Sequence, residues 1–307
     1  MSNKPRLSLG PILYYWSRDE VFEFYRQIAD SPVDIVYLGE TVCSKRNLIR
    51  TDDWFDLAEL LTDAGKEVVL STLALLEAES ELKRLRRLCG NEKYLVEAND
   101  MGAVQLMRGR PFVAGHSVNI YNEHSLKLLA EEGLTRWVFP LELSADTLAD
   151  MQSARPPGVE TEVLVYGRLP LAYSARCFTA RAHKLPKDDC QYRCLDYPDG
   201  LTLSAQDDTR FLSLNGIQTQ SAQTCNLISE LDSMRKLAVD VVRISPQSRR
   251  SDGVIDIFHR CLEGEMELEE GRRQLERLMP VGACNGYWHG EAGMMATQAQ
   301  ARALSGS

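Results

Sequence analysis

Three thiols fall within eighteen residues of this 307-residue chain: Cys177, Cys190 and Cys194. Between and beside them stand Arg176, Arg181, Lys184, Lys187 and Arg193. A thiol acts as ligand or nucleophile only as the thiolate, and cationic neighbours favour that form. The same charges would steady an anionic iron–sulfur cluster, which as a rule takes four thiolates. The spacing therefore predicts three ligands of such a cluster and requires a fourth from elsewhere. Two other readings fit the residues. Zinc sites usually combine two close Cys pairs; Cys190 and Cys194 make one, but Cys177 stands alone upstream. Free cysteines are also common, inert core residues, although this loop is polar.

The elements that must position these thiols alternate. Apolar, β-branched runs predict strands over Leu7–Tyr15, Val33–Leu38, Glu67–Leu73, Tyr94–Ala98, Phe112–Val118, Trp137–Leu143, Glu162–Leu169 and Val239–Ile244. Between them, helical spacing predicts helices over Asp19–Ile28, Asp52–Ala64 (with Asp52 or Asp53 as N-cap), Glu77–Leu88, Ala103–Arg108, Ser125–Glu132 and Ser144–Gln152. After the cysteine loop, Leu201–Ser204 and Phe211–Gly216 predict an inserted β-hairpin. Helices Cys225–Leu237, Ser251–Glu263 and Glu267–Met279 complete the series.

Eight strand–helix units predict a TIM-like (β/α) barrel, an α/β fold, as one domain over residues 1–289, with a flexible tail over 290–307. Two doubly wound domains are the alternative. In a barrel, chemistry gathers where strands end at their C-terminal side. Cys43 follows the second strand and Cys177 the seventh, so both belong on that rim, and Cys43 is the expected fourth ligand. Cys225, placed at a helix start, is the runner-up. Cys89, Cys261 and Cys284 read as packing residues.

The net charge of −9 and the absence of a basic run argue against nucleic acid or an anionic membrane as the main partner. No apolar run approaches the ~20 residues that span a bilayer. The N-terminal apolar stretch lacks a small-residue cleavage site and meets Arg18-Asp-Glu20 at once, so the reading is a cytoplasmic protein. In a reducing cytosol, eight cysteines point to ligand or redox roles rather than disulfides. Dinucleotide, P-loop and His-Glu-x-x-His motifs are missing. His116, expected inside the fifth strand, reads first as a structural histidine. Glu40, Glu97, Asn99, Asp100, Asn119, Tyr121 and Glu142 fall at strand ends, where carboxylates serve as acid–base groups or cap helices and pair with Arg46 and Arg50. Asn215-Gly216 is a turn signal.

Leu38-Gly-Glu-Thr-Val-Cys-Ser-Lys-Arg46, the run Glu162-Val-Leu-Val-Tyr-Gly-Arg-Leu-Pro-Leu-Ala-Tyr-Ser-Ala-Arg-Cys177 and Cys190-x3-Cys194 resemble the ubiquinone-biosynthesis members of the collagenase-like peptidase family, whose catalytic type is unassigned. The resemblance covers nearly the whole chain and implies a TIM-like barrel. It also implies a 4Fe-4S cluster on Cys43, Cys177, Cys190 and Cys194, and a heterodimer with the related protein UbiU. The implied activity is oxygen-independent hydroxylation of a ubiquinone precursor, with prephenate as hydroxyl donor and a lipid-binding accessory protein, UbiT. In the peptidase members, the run before the loop carries a cysteine shortly after its glycine. Here Gly167 is followed by Arg168-Leu-Pro-Leu, with no thiol. The expectation is thus a hydroxylase subunit rather than a peptidase, with catalytic residues unassigned.

Overall fold

The computed structural model describes residues 4–297. Eight parallel strands close into a barrel: β1 (Arg6–Leu9), β2 (Ile35–Leu38), β3 (Glu67–Ser71), β4 (Leu95–Ala98), β5 (Phe112–Ala114), β6 (Leu134–Val138), β7 (Glu160–Tyr173) and β11 (Val241–Ile244). Closure comes from β11, which pairs with β1 through Arg6–Val241 and with β7 through Glu162–Val241. Helices α1 (Arg18–Ala29), α2 (Thr51–Asp63), α3 (Glu79–Cys89), α4 (Met101–Met107), α5 (Glu123–Glu131) and α6 (Ala145–Ser153) follow successive strands. Side-chain caps open several of them: Ser17 for α1, Asp100 for α4, Asn122 for α5 and Ser144 for α6. In α2, Arg50 is the N-cap, and Asp53 accepts the Arg50 backbone N–H at 2.7 Å from the third helical position. The expected Asp52 or Asp53 cap is therefore two or three residues too late.

Period-two alternation sends one set of residues inward. Ile35, Tyr37, Val69, Val113, Val138 and Val241 form an apolar cluster inside the barrel. The same inward positions also carry charge. Near the strand starts, Arg6 and Arg136 both pair with Glu67 and Glu160, at 2.6–2.8 Å. Further along, Arg243 donates from Nε to Glu162 at 2.8 Å and from Nη1 to Glu97 at 2.7 Å. Glu162 also accepts from Ser8 and Tyr37. Burial alone would raise the Glu162 carboxyl pKa. The charges of Arg243 and Arg136 and the hydrogen bonds from Arg243 and Ser8 together outweigh it and hold that carboxyl below its ordinary value.

The long β7 belongs to two sheets. Its first half lies in the barrel, and its second half pairs antiparallel with β10 (Gln218–Asn226), from Tyr166–Asn226 to Tyr173–Gln218. Gly167 marks the departure: its φ is +133°, and a Cβ there would sit 2.5 Å from the Ser245 Cβ. Outside the barrel, β8 (Leu201–Ser204) and β9 (Arg210–Asn215) form the expected hairpin, and β10 adds a third strand. The expected helix from Cys225 is corrected. Cys225 lies in β10 opposite Cys284 of β12 (Ala283–Cys284), and α8 spans only Leu231–Lys236. The alternating Gln, Thr and Ser side chains of β10 fit a sheet whose ladders run to β7, β9 and β12. Helices α9 (Ser251–Glu263) and α10 (Leu268–Glu276) follow β11. Beyond Gly290, Met295 and Thr297 hydrogen-bond back to Asn285; residues 298–307 of the expected tail lie outside the described residues.

Glu162→Ala takes from the buried Arg243 one of its two carboxylate partners and is expected to destabilise the chain by about 3 kcal/mol in urea unfolding. Glu79→Ala, which breaks an exposed pair with Arg86, is expected to cost less than ~1 kcal/mol. Because the folded Glu162 pKa is depressed, its contribution is full above the ordinary value of 4.5 and is lost as pH falls below it.

Candidate functional site

The C-terminal rim of the barrel gathers three separate chain segments. The first follows β2. Gly39, with φ +144° and no room for a Cβ against the Ser71 carbonyl, turns the chain outward. The Glu40 carboxylate then accepts the backbone N–H groups of Val42 at 2.9 Å and Cys43 at 3.0 Å, folding the loop around Cys43. Burial raises the Glu40 pKa despite the opposing charge of Arg46 at 3.6 Å.

The second segment follows β7. Cys177 caps α7 (Phe178–Ala182), its sulfur accepting the Ala180 N–H at 3.4 Å. The Asn215-Gly216 turn of the outer hairpin holds this segment. Phe178 N–H donates to Gly216 O at 2.9 Å, and Gly216 N–H donates to Thr179 Oγ1 at 3.0 Å. The third segment carries Cys190 just after one short 3₁₀ turn (Lys187–Asp189) and Cys194 within the next (Arg193–Asp196), with Gln191 and Tyr192 between them at positive φ. Lys45 bonds Asp188 at 2.6 Å and ties this segment to the Cys43 loop.

Arg46 joins these pieces. Only 2% exposed, it donates to Leu13 O at 2.7 Å and to Asn215 Oδ1 at 2.6 Å. Its charge also acts on Cys43 and on Cys194, whose sulfur accepts a hydrogen bond from it. Its Nε is buried without a hydrogen-bond partner among the described residues.

Of the sequence-predicted ligands, Cys43 and Cys177 pack on one small core of Leu13, Val42 and Ile217. Cys177 lies near enough to raise the cost of ionising both Cys43 and Cys194. Cys190 reaches the group through Lys45, whose ammonium is influenced by both Cys43 and Cys190. All four are half-buried. Burial pushes the Cys43 thiol from 9.0 up to about 11 and raises Cys194 also, against the pull of Arg46. Among the described residues, no three Cys, His, Asp or Glu side chains converge on a point where one ion would sit. A cubane cluster asks for a different layout, since each of its four thiolates binds a separate iron. The residues fit such a group in three respects: thiols from three segments of one rim, a buried cation beside Cys43 and Cys194, and one unpartnered N–H on that cation.

Cys225 is elsewhere, buried against Cys284 beside an apolar cavity lined by Phe139, Leu169 and Trp288. Cys89 and Cys261 are buried in helices, as expected. His116 is corrected: β5 ends at Ala114, and His116 sits in the following turn at the barrel mouth. Sequence reasoning noted Arg46 only as a carboxylate partner and Asn215 only as part of a turn, and passed over Arg243. The signal for Arg243 was a lone cation at an inward position of an otherwise apolar strand.

Residues 17–298 match the family described as peptidase family U32. The chain belongs to peptidase family U32. Over 83 residues, this U32 member is 35% identical to tRNA hydroxylation protein P of Haemophilus influenzae. That stretch covers 26% of the chain and 18% of the relative, so the chain matches less than a fifth of that protein's length. Among solved structures, the U32 peptidase Mk0906 is similar with a TM-score of 0.45 and 13% identity, over 80% of this chain and 95% of its own. The spore cortex-lytic enzyme SleL of Bacillus cereus reaches 0.41 and 11%, over 86% and 76%.

At pH 8, the metal-free chain is expected to alkylate at Cys43 at least roughly 10-fold more slowly than an unperturbed thiol, because its thiolate is about two pKa units less populated and only part of that is offset by the thiolate's greater nucleophilicity. Peptide mass spectrometry after iodoacetamide reads this directly. The raised pKa also stabilises the fold below about pH 9, a contribution lost as pH climbs through about 11.

Proposed function

We propose that this U32 member is an iron–sulfur subunit for oxygen-independent hydroxylation, of the kind represented by the ubiquinone biosynthesis protein UbiV. What supports this reading is that Cys43 packs with Cys177 on one small core, that the buried Arg46 acts on both Cys43 and Cys194, and that Lys45 lies near both Cys43 and Cys190. These four would hold a 4Fe-4S cluster, which supplies one-electron transfer when bound. Arg46 balances the thiolate charge from inside the rim. Lys45, Lys187 and Arg193 add cations in the surrounding loops; their partners are Asp188, Glu77 and Asp196.

The hydroxylation reading draws on family membership and on the shared segment with a tRNA hydroxylation protein. In this proposal the chain works in the cytoplasm as a heterodimer with UbiU, with UbiT as lipid-binding accessory. The ubiquinone precursor is the acceptor and prephenate the hydroxyl donor. Four thiolates on four irons leave no open iron position, which favours electron transfer or a structural role here and puts the ring chemistry at the partner interface. Among the described residues, no Ser or Cys side chain hydrogen-bonds a His; His183 instead meets the Tyr197 hydroxyl at 2.9 Å. A peptidase nucleophile would need such a base. No helix among the described residues is long and apolar enough to cross a membrane.

Protein purified without oxygen is expected to be brown, to bleach with dithionite, and to carry about four iron and four sulfide per chain. Cys43→Ala is expected to lower the iron content, and Cys225→Ala to leave it unchanged. Stoichiometric zinc in place of iron, or the reverse pattern in the two variants, would overturn the assignment.

A further inference from the structure

Three large apolar side chains are exposed at the thiol rim. Tyr192 and Leu195, 41% and 39% exposed, belong to the segment that carries Cys190 and Cys194. They stand three residues apart at a 3₁₀ turn, a spacing that puts both on one side of it. Leu48, also 39% exposed, comes from the loop after β2 that carries Cys43. The buried Tyr15 joins the two loops. Its ring centroid lies 6.1 Å from that of Tyr192, and its hydroxyl meets the backbone N–H groups of Asn47 and Leu48. Single exposed leucines are ordinary, but an apolar cluster assembled from two separate loops marks an interaction site.

The charge around this patch sets the sign of its partner. The chain as a whole is acidic, at −9, yet residues 176–196 hold five Lys and Arg against three Asp. Two of those cations are already paired, Lys187 with Glu77 and Arg193 with Asp196. The other three, Arg176, Arg181 and Lys184, are exposed and have no ion-pair partner among the described residues. They belong to the same small body as the patch. His183 meets the Tyr197 hydroxyl at 2.9 Å, which ties the end of α7 to the turn bearing Leu195, and Lys187 donates to Ala175 O at 2.8 Å, beside Arg176. A lone exposed cation is merely solvated. Three unpaired ones bordering an apolar centre have the anatomy of a protein interface, a dry middle within a charged rim. Complementarity then calls for an acidic surface opposite.

We propose that this face docks a small acidic electron-carrier protein, with Leu48, Tyr192 and Leu195 as the apolar centre and Arg176, Arg181 and Lys184 as the cationic rim. The partner's role as an electron carrier rests on the iron–sulfur reading above, because the patch lies on the segments that hold the thiols. The sign of its charge does not. Redox partners meet through small, transient interfaces, and an apolar centre of three side chains is of that size.

A plant-type 2Fe–2S ferredoxin, a small acidic carrier, is the probe, and basic cytochrome c is its control. Each is titrated by calorimetry into the full chain purified without oxygen. Ferredoxin is expected to saturate with a Kd below roughly 1 mM, and to bind at least ~3-fold more weakly at roughly 0.15 M salt than at roughly 0.01 M, because exposed charges are screened. Cytochrome c is expected not to bind. Arg181→Glu combined with Lys184→Glu is expected to weaken ferredoxin at least ~10-fold, and Leu195→Ser about 3- to 10-fold. Lys127→Glu, which reverses an exposed cation on α5, is expected to change nothing. Melting temperature and iron content are measured on every sample, so loss of fold or of metal is not mistaken for loss of docking. Iron-free protein that still binds ferredoxin in this pattern would sink the cluster reading and keep the acidic-partner surface. Iron-loaded protein that fails to bind it, binds cytochrome c as well, or ignores both the charge reversal and Leu195→Ser would overturn the surface alone.

Discussion

Arg243 sits between two buried carboxylates, Glu97 and Glu162, and the organisation of the barrel follows from that placement. It comes from β11, the strand that closes the barrel, and its partners come from β4 and β7. The ion pairs therefore form only when closure is complete and in register. A slip of one residue would turn Arg243 outward and leave two acids buried without a cation. Such a network adds little net stability compared with well-packed apolar residues, but losing one member is expensive. Its value here is specification. The register it fixes carries Glu97 and the spare nitrogen of Arg243 to the mouth of the barrel.

Above this charged interior, the rim is held by a different device. Arg46 and the Asn215-Gly216 turn bind the loop after β1, the loop after β2 and the cysteine segment after β7. The outer hairpin is thus more than an appendage, because its tip holds the segment that begins at Cys177 and the buried Arg46. Gly216 has a φ of +66°, and a Cβ there would lie 3.2 Å from Arg46 Nη2, so the brace needs a glycine where it is closest.

The barrel was legible because its strands are short apolar runs at regular spacing, punctuated by capped helices such as that begun by Ser144. Convergence of Cys43 with Cys177 followed from the rule that strand ends share a rim. What sequence could not show was the outer sheet beyond its first hairpin. Cys225 stands before Asn-Leu-Ile-Ser-Glu, which has helical spacing, and its pairing with Cys284 depends on a partner strand of two residues. His116 was misplaced for a related reason: β5 is only three residues long, and nothing in Gly115-His116-Ser117 announces the turn. The pairing of Arg243 with Glu97 and Glu162, across 146 and 81 residues, is likewise a product of topology rather than of local pattern.

The dual membership of β7 bears on the order in which the molecule assembles. During synthesis, the seven strands from β1 to β7 emerge well before β11, so the nascent sheet carries two bare parallel edges, one on β1 and one on β7. The far end of β7 finds its antiparallel mate sooner, because β10 precedes β11 in the chain. The cysteine segment that follows β7 is then anchored on a still-open sheet. Contacts of such long sequence separation form slowly, so β11, whose partners on β1 and β7 lie far upstream, is the strand that completes the barrel last.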